Sequence, residues 1–164
     1  MAALFTVVLL FGQGKEANGQ EIQVRPFSAA STLDQRLDER ISQSEQKYVI
    51  SDKGIGEKHG LRMVRAVHLR SADLLDELSD LQHEPYLISA EMLIVDVQAG
   101  QSPRITPETL ALMSSIRYIY LRISGSGQPS ATDVQTYFSG FEPEEGREPI
   151  VVLFAGYEVQ ETVV

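Results

Sequence analysis

The sequence predicts an α/β fold in which parallel strands alternate with short helices. Three observations carry that prediction. Short runs rich in branched apolar residues alternate along the chain with segments whose leucines recur at helical spacing. Clusters of Gly, Pro and Ser separate these segments and break regular structure. The final run, IVVLFAGYEV from Ile150, is apolar on both faces, as in a strand buried inside a parallel sheet. Such alternation favours right-handed crossovers that lay helices on at least one face. An irregular solenoid of stacked coils and a compact α/β sandwich both satisfy it.

Ala2 to Phe11 is an uncharged apolar run, and the polar stretch to Gln20 places Ala17 and Gly19 where a signal peptidase reads small residues. Residues 1–19 therefore resemble a bacterial-type signal peptide, which implies export to the periplasm or beyond. The competing expectation for this run is a buried N-terminal strand, since Phe5, Thr6, Val7 and Val8 favour extended structure. Residues 20–61 follow as an extended lead-in, an amphipathic helix and a Gly-rich loop. Thr32 and Gln35 fit a capping box, and Leu33, Leu37 and Ile41 form a narrow apolar stripe on a helix over 32–46. Gly54, Gly56 and Gly60 miss the phosphate-loop spacing, because His59 stands where the third glycine belongs.

Residues 62–164 form the repeating α/β part. Strands are predicted over 62–70, 92–98, 116–124 and 150–159. Helices are predicted after Ser71, with Leu74, Leu75, Leu78 and Leu81 on one face, over 107–114 behind Thr106 and Pro107, and from Ala131. The first three strands align as Val64, Val67, Leu69; Met92, Val95, Val97; and Ile116, Ile119, Leu121, and the fourth as Ile150, Leu153, Ala155. With Pro107, Leu110 and Met113, this spacing resembles an irregular leucine-rich repeat over about residues 62–158. The resemblance implies stacked coils that share one apolar core and expose the other strand face. That open face would carry His68, Arg70, Asp96, Tyr118, Tyr120 and Arg122 as binding residues. Arginines and tyrosines on a rigid sheet suit protein recognition. The plainer alternative is that Asp96 pairs with Arg70 or Arg122 and the tyrosines pack away.

Composition narrows the chemistry. The chain has 164 residues, 43% apolar and 23% charged, with a net charge of −9 and no cysteine. An acidic chain lacks the basic footprint of a nucleic-acid binder. The absence of cysteine removes thiol nucleophiles and cysteine-ligated metals. The N-terminal apolar run falls short of the roughly 20 residues that a membrane span needs. His59, His68 and His83 show no metal-motif spacing, and no Gly-x-Ser-x-Gly elbow is present. The acids Glu142, Glu144, Glu145 and Glu148 read as a solvated turn. The basic run from Lys58 to Arg70 reads as neutralising Asp73, Asp76, Glu77 and Asp80. The sequence thus points to an exported recognition module without cofactor or metal, more a binder of a protein partner than an enzyme. A small hydrolase whose carboxylate and histidine meet only in three dimensions, or an accessory domain of an envelope assembly, is the alternative.

Overall fold

The structure, a computed structural model, describes residues 20–42, 46–52, 54–55, 63–125, 127 and 129–157. The N-terminal run and the segment Lys58–Arg62 lie outside the described residues. Strands β1 (Ile22–Pro26), β2 (Lys47–Ser51), β4 (Ala66–Leu69), β5 (Met92–Val97), β6 (Tyr118–Ser124) and β7 (Ile150–Tyr157) run parallel, and the two-residue β3 (Gly54–Ile55) returns antiparallel on β2. Their order across the open sheet is β1-β7-β6-β5-β4-β2-β3. The α/β class and the parallel strands are therefore present. The hairpin from β2 to β3 occupies the start of the Gly-rich loop.

From β4 onward each strand lies beside its predecessor, so every crossover falls on the same face. That face buries Val67 and Leu69, Leu93, Val95 and Val97, and Ile119 and Leu121 against the connecting segments. These connections are tighter than the predicted helices. Ala72–Ser79 and Leu81–His83 are 3-10 helices, followed by the one-turn α2 (Glu84–Leu87). Segment 107–116 is a chain of turns, in which Leu110, Met113 and Ile116 donate their N–H to the carbonyls of Pro107, Leu110 and Met113. The physical reason is the period of the buried residues. Ala72, Leu75 and Leu78, and then Pro107, Leu110, Met113 and Ile116, are spaced by three, and a three-residue turn stacks i and i+3 in one row. Leu81, expected on the apolar face, is 69% exposed. α3 (Ala131–Gln135) stops after five residues and carries a Ser130/Asp133 capping box.

Strand β7 corrects the predicted register by one residue. Ile119 pairs with Val152 and Leu121 with Phe154, so Val152 and Phe154 face the crossovers, while Leu153 faces the opposite side. β7 is also an internal strand, covered laterally by β1 and β6. Its crossover face is buried at Ile150, Val152 and Phe154, and its other face at Leu153.

The opposite face is not bare. β1 pairs with β7 on one side of the sheet and β2 with β4 on the other, so the chain between them must cross the sheet. Helix α1 (Thr32–Ser42) lies in that crossing, and its Leu37 packs with Ala66, Met92, Ile94 and Leu153. Only part of the predicted stripe is buried: Leu37 is 2% exposed and Leu33 42%. Ser31, just before the helix, is the cap: its Oγ accepts the Asp34 N–H at 3.3 Å, in place of the expected Thr32/Gln35 box. Asp34 itself is fully buried. Its carboxylate takes both Arg25 guanidinium nitrogens at 2.6 and 2.8 Å and the Ser28 N–H at 2.7 Å. These bonds hold its acid below the ordinary carboxylate range, the Arg25 bonds contributing most. This clasp fixes the turn from β1 into α1.

Candidate functional site

α1 covers the N-terminal halves of the strands, where Tyr118 and Tyr120 lie half-buried beside Phe27 and Val151. The Phe27 and Tyr120 rings meet at 5.6 Å between centroids. Burial pushes the Tyr120 phenol above its usual value. These two tyrosines therefore serve packing more than display. The other four predicted residues come together toward the C-terminal ends of the strands.

There the pairing of Asp96 with Arg122, and of Leu69 with Val95 one residue before, sets Arg70, Asp96 and Arg122 in one row across β4, β5 and β6. Asp96 Oδ1 accepts from His68 Nε2 at 3.0 Å and lies 3.4 Å from Arg122 Nε. Arg122 stacks over the Tyr157 ring, 4.5 Å from its centroid. His68 is 1% exposed and Asp96 6%, so the expectation of an open face fails for both. Arg70 is exposed, and the Arg122 side chain keeps 27% of its surface in contact with solvent. Asp96 pairs with Arg122, as one sequence reading had it. Arg70 has no ion pair among the described residues, and the other described members of the basic run find partners other than the neighbouring helix: Arg65 pairs with Glu91 and His68 with Asp96.

Burial drives the His68 imidazole below its ordinary value, and the bond to Asp96 offsets only part of that. The ring is therefore neutral near pH 7. Because a carboxylate only accepts, Nε2 carries the proton and Nδ1 is a bare acceptor. Nδ1 is buried and has no hydrogen-bond partner among the described residues. Lys47, on β2, is held below its usual value by burial first, then by the fields of Arg70 and Arg122. At the rim itself, Arg70 and Arg122 beside the single carboxylate of Asp96 leave one positive charge in excess on an acidic chain.

Tyr157 is the residue of this group that sequence reasoning missed. Aligning Ile150, Leu153 and Ala155 with the core row turned Tyr157 away from the recognition face. In the observed register that face carries Leu153, Ala155 and Tyr157. The signal was present in the sequence, since Ile150, Val152 and Phe154 form the unbroken large apolar series that a core demands.

A hollow of about 770 Å³ opens at the other end of the strands between Glu91, Arg117, Tyr118, Arg147 and Glu148. Its charges are largely matched, with Arg65 on Glu91 and Arg147 on Glu144, and it is wide and polar. It lacks the unbalanced charge of the rim. No helix among the described residues is long and apolar enough to cross a membrane. Compared with protein-family models, curated proteins and solved structures, the chain shows no match.

Proposed function

We propose that the chain is a recognition module that receives a carboxylate-bearing segment of a protein partner on the C-terminal rim of its sheet. The observation that carries this reading is the row Arg70–Asp96–Arg122, in which two arginines flank one acid and one arginine reaches solvent without an ion pair among the described residues. In open parallel sheets, ligands characteristically approach the carboxyl ends of the strands. Guanidinium groups recognise carboxylates through paired hydrogen bonds. Arg122 is positioned by Asp96 and Tyr157, and Arg70 is the accessible contact. The apolar N-terminal run supports an exported setting for this recognition.

The test is a titration of a fluorescent glutamate-rich peptide into the full chain. Arg70→Glu reverses an exposed charge without disturbing the core and should weaken binding at least tenfold. Added salt should weaken wild-type binding progressively. Equal binding by wild type and Arg70→Glu, or none by wild type, overturns the reading. A second reading, hydrolysis by the His68–Asp96 dyad, has the unpaired Nδ1 in its favour. It requires that His68→Gln abolish turnover of an ester or peptide substrate.

A further inference from the structure

We propose that Glu77, Asp80 and His83 bind a divalent transition-metal ion of the zinc type. The three residues are spaced by three along two consecutive 3-10 helices that meet at Asp80. A three-residue turn returns side chains to the same side, and one ligand atom from each residue lies within 4.8 Å of the other two. The site is remote in role from the rim and rests on separate observations.

The histidine gives the strongest of these. His83 is 2% exposed, and its Nε2 stands 3.4 Å from Glu77 Oε2. A good charge-assisted hydrogen bond would be near 2.8 Å. A tetrahedral ion with ligands at about 2.0–2.1 Å separates neighbouring donor atoms by roughly 3.4 Å. The observed gap is that of a coordination edge. The supporting groups are in place as well. Nδ1 lies 2.8 Å from the Tyr48 hydroxyl, and Tyr48 stacks on Tyr86 at 4.3 Å, which fixes the plane in which the imidazole is held. The Asp80 carboxylate is oriented by the Gln82 N–H at 3.0 Å and the Gln82 side-chain amide at 2.7 Å. Those bonds use two of its roughly four acceptor positions and leave the others for an ion.

The donor set, one imidazole and two carboxylates, selects the ion. Calcium needs six to eight oxygens, and magnesium keeps its waters. An imidazole beside two carboxylates suits zinc, cobalt or nickel. Asp80 is exposed, so the fourth position opens to water. With the ion on Nε2, the ring proton sits on Nδ1 and faces the Tyr48 hydroxyl oxygen, which accepts it.

The probes are Zn²⁺ by calorimetry and Co²⁺ by visible absorption, on the full chain after chelation. Wild type should bind one ion at this site with micromolar affinity and give the intense bands of low-symmetry Co²⁺. At a hundredfold excess over Kd, Zn²⁺ should raise Tm by about 5–10 °C. Glu77→Gln and Asp80→Asn each lie at or near the surface and should each weaken binding at least tenfold. Asp73→Asn with Asp76→Asn, acids of the same helix outside the trio, should leave it unchanged. In the histidine ¹⁵N spectrum, Zn²⁺ should leave His83 with Nε2 bound to the metal and Nδ1 protonated. Equal affinity for wild type and Glu77→Gln/Asp80→Asn, or no uptake by wild type, overturns the proposal.

Discussion

Replacing Leu37 by Ala tests whether α1 is a structural layer of the sheet or a loosely attached segment. The side chain is 2% exposed and sits between Met92, Ile94 and Leu153. The change removes three carbons, which at about 0.8 kcal/mol each gives about 2.4 kcal/mol of lost burial. The cavity left behind adds to this, but α1 touches the sheet on one side only and can settle inward. The expected cost is therefore near the low end of the Leu→Ala range, about 3 kcal/mol. For a chain of this length that lowers Tm by roughly 6–12 °C. Urea or thermal denaturation followed by circular dichroism measures it. Leu33→Ala is the internal control, because Leu33 is 42% exposed on the same helix and should cost under about 0.5 kcal/mol. Hydrogen exchange should show α1 amides losing protection before those of β5 and β6, which are also held by the crossover core. If Leu37→Ala and Leu33→Ala lower Tm alike, the helix does not pack as described.

Two further outcomes follow from the buried ionisable groups. Asp34→Asn keeps the shape but removes the charge facing Arg25; since Arg25 is 37% exposed and regains water, the cost should be about 2 kcal/mol rather than the full penalty of a broken buried pair, read from urea denaturation midpoints. The Asp34 contribution is present above its ordinary value of 3.8 and is lost as pH falls through its lower folded value, so wild type and Asp34→Asn should converge in acid. His68 acts in a higher window: its folded value lies below the ordinary 6.5, so the unfolded chain protonates first and stability declines as pH drops from about 6.5 downward. His68→Gln should flatten the Tm-versus-pH curve between pH 7 and 5, and an unchanged slope would refute the burial of a neutral ring.

The strands were legible because their chemistry is local. Val67 and Leu69, Val95 and Val97, and Ile119 and Leu121 alternate as a pleated core requires, and all face the crossovers. The connections were misread because leucines at 74, 75, 78 and 81 fit a 3.6-residue stripe, while Ala72, Leu75 and Leu78 obey a period of three. Small residues such as Ala72, and prolines such as Pro107, complete that tighter period but weigh little in a count of large apolar side chains. The layer formed by α1 left a signal that was passed over. Ile94 is apolar on the face expected to be open, and such a face needs a cover, whereas Met92 and Leu153, which share that face in the structure, had been aligned with the core row. Nothing local in the sequence distinguishes Asp34, an acid that turns inward toward Arg25, from the other acids of its helix. The His68–Asp96 contact joins residues of two different strands and depends on register, which periodicity alone does not give.

The placement of the rim follows from the width of a helix. A strand such as β6, with seven residues, is about 23 Å long, whereas an α-helix with its side chains is about 10–12 Å across. One helix crossing the sheet can therefore cover only about half of each strand. α1 must deliver the chain to the start of β2, which lies at the N-terminal side of the sheet, and so the half it covers is the N-terminal one. Residues on that half, Ala66, Met92 and Leu153, are accordingly apolar. Beyond the helix the same face turns polar within two residues, at Asp96, Arg122 and Arg70. An acid buried there needs partners, and Asp96, 6% exposed, has His68 Nε2 at 3.0 Å and Arg122 Nε at 3.4 Å. Two arginines around one acid over-satisfy that need, because a single guanidinium already pairs Asp96. The second, Arg70, adds nothing to that pairing, and it is this surplus cation that the recognition reading uses.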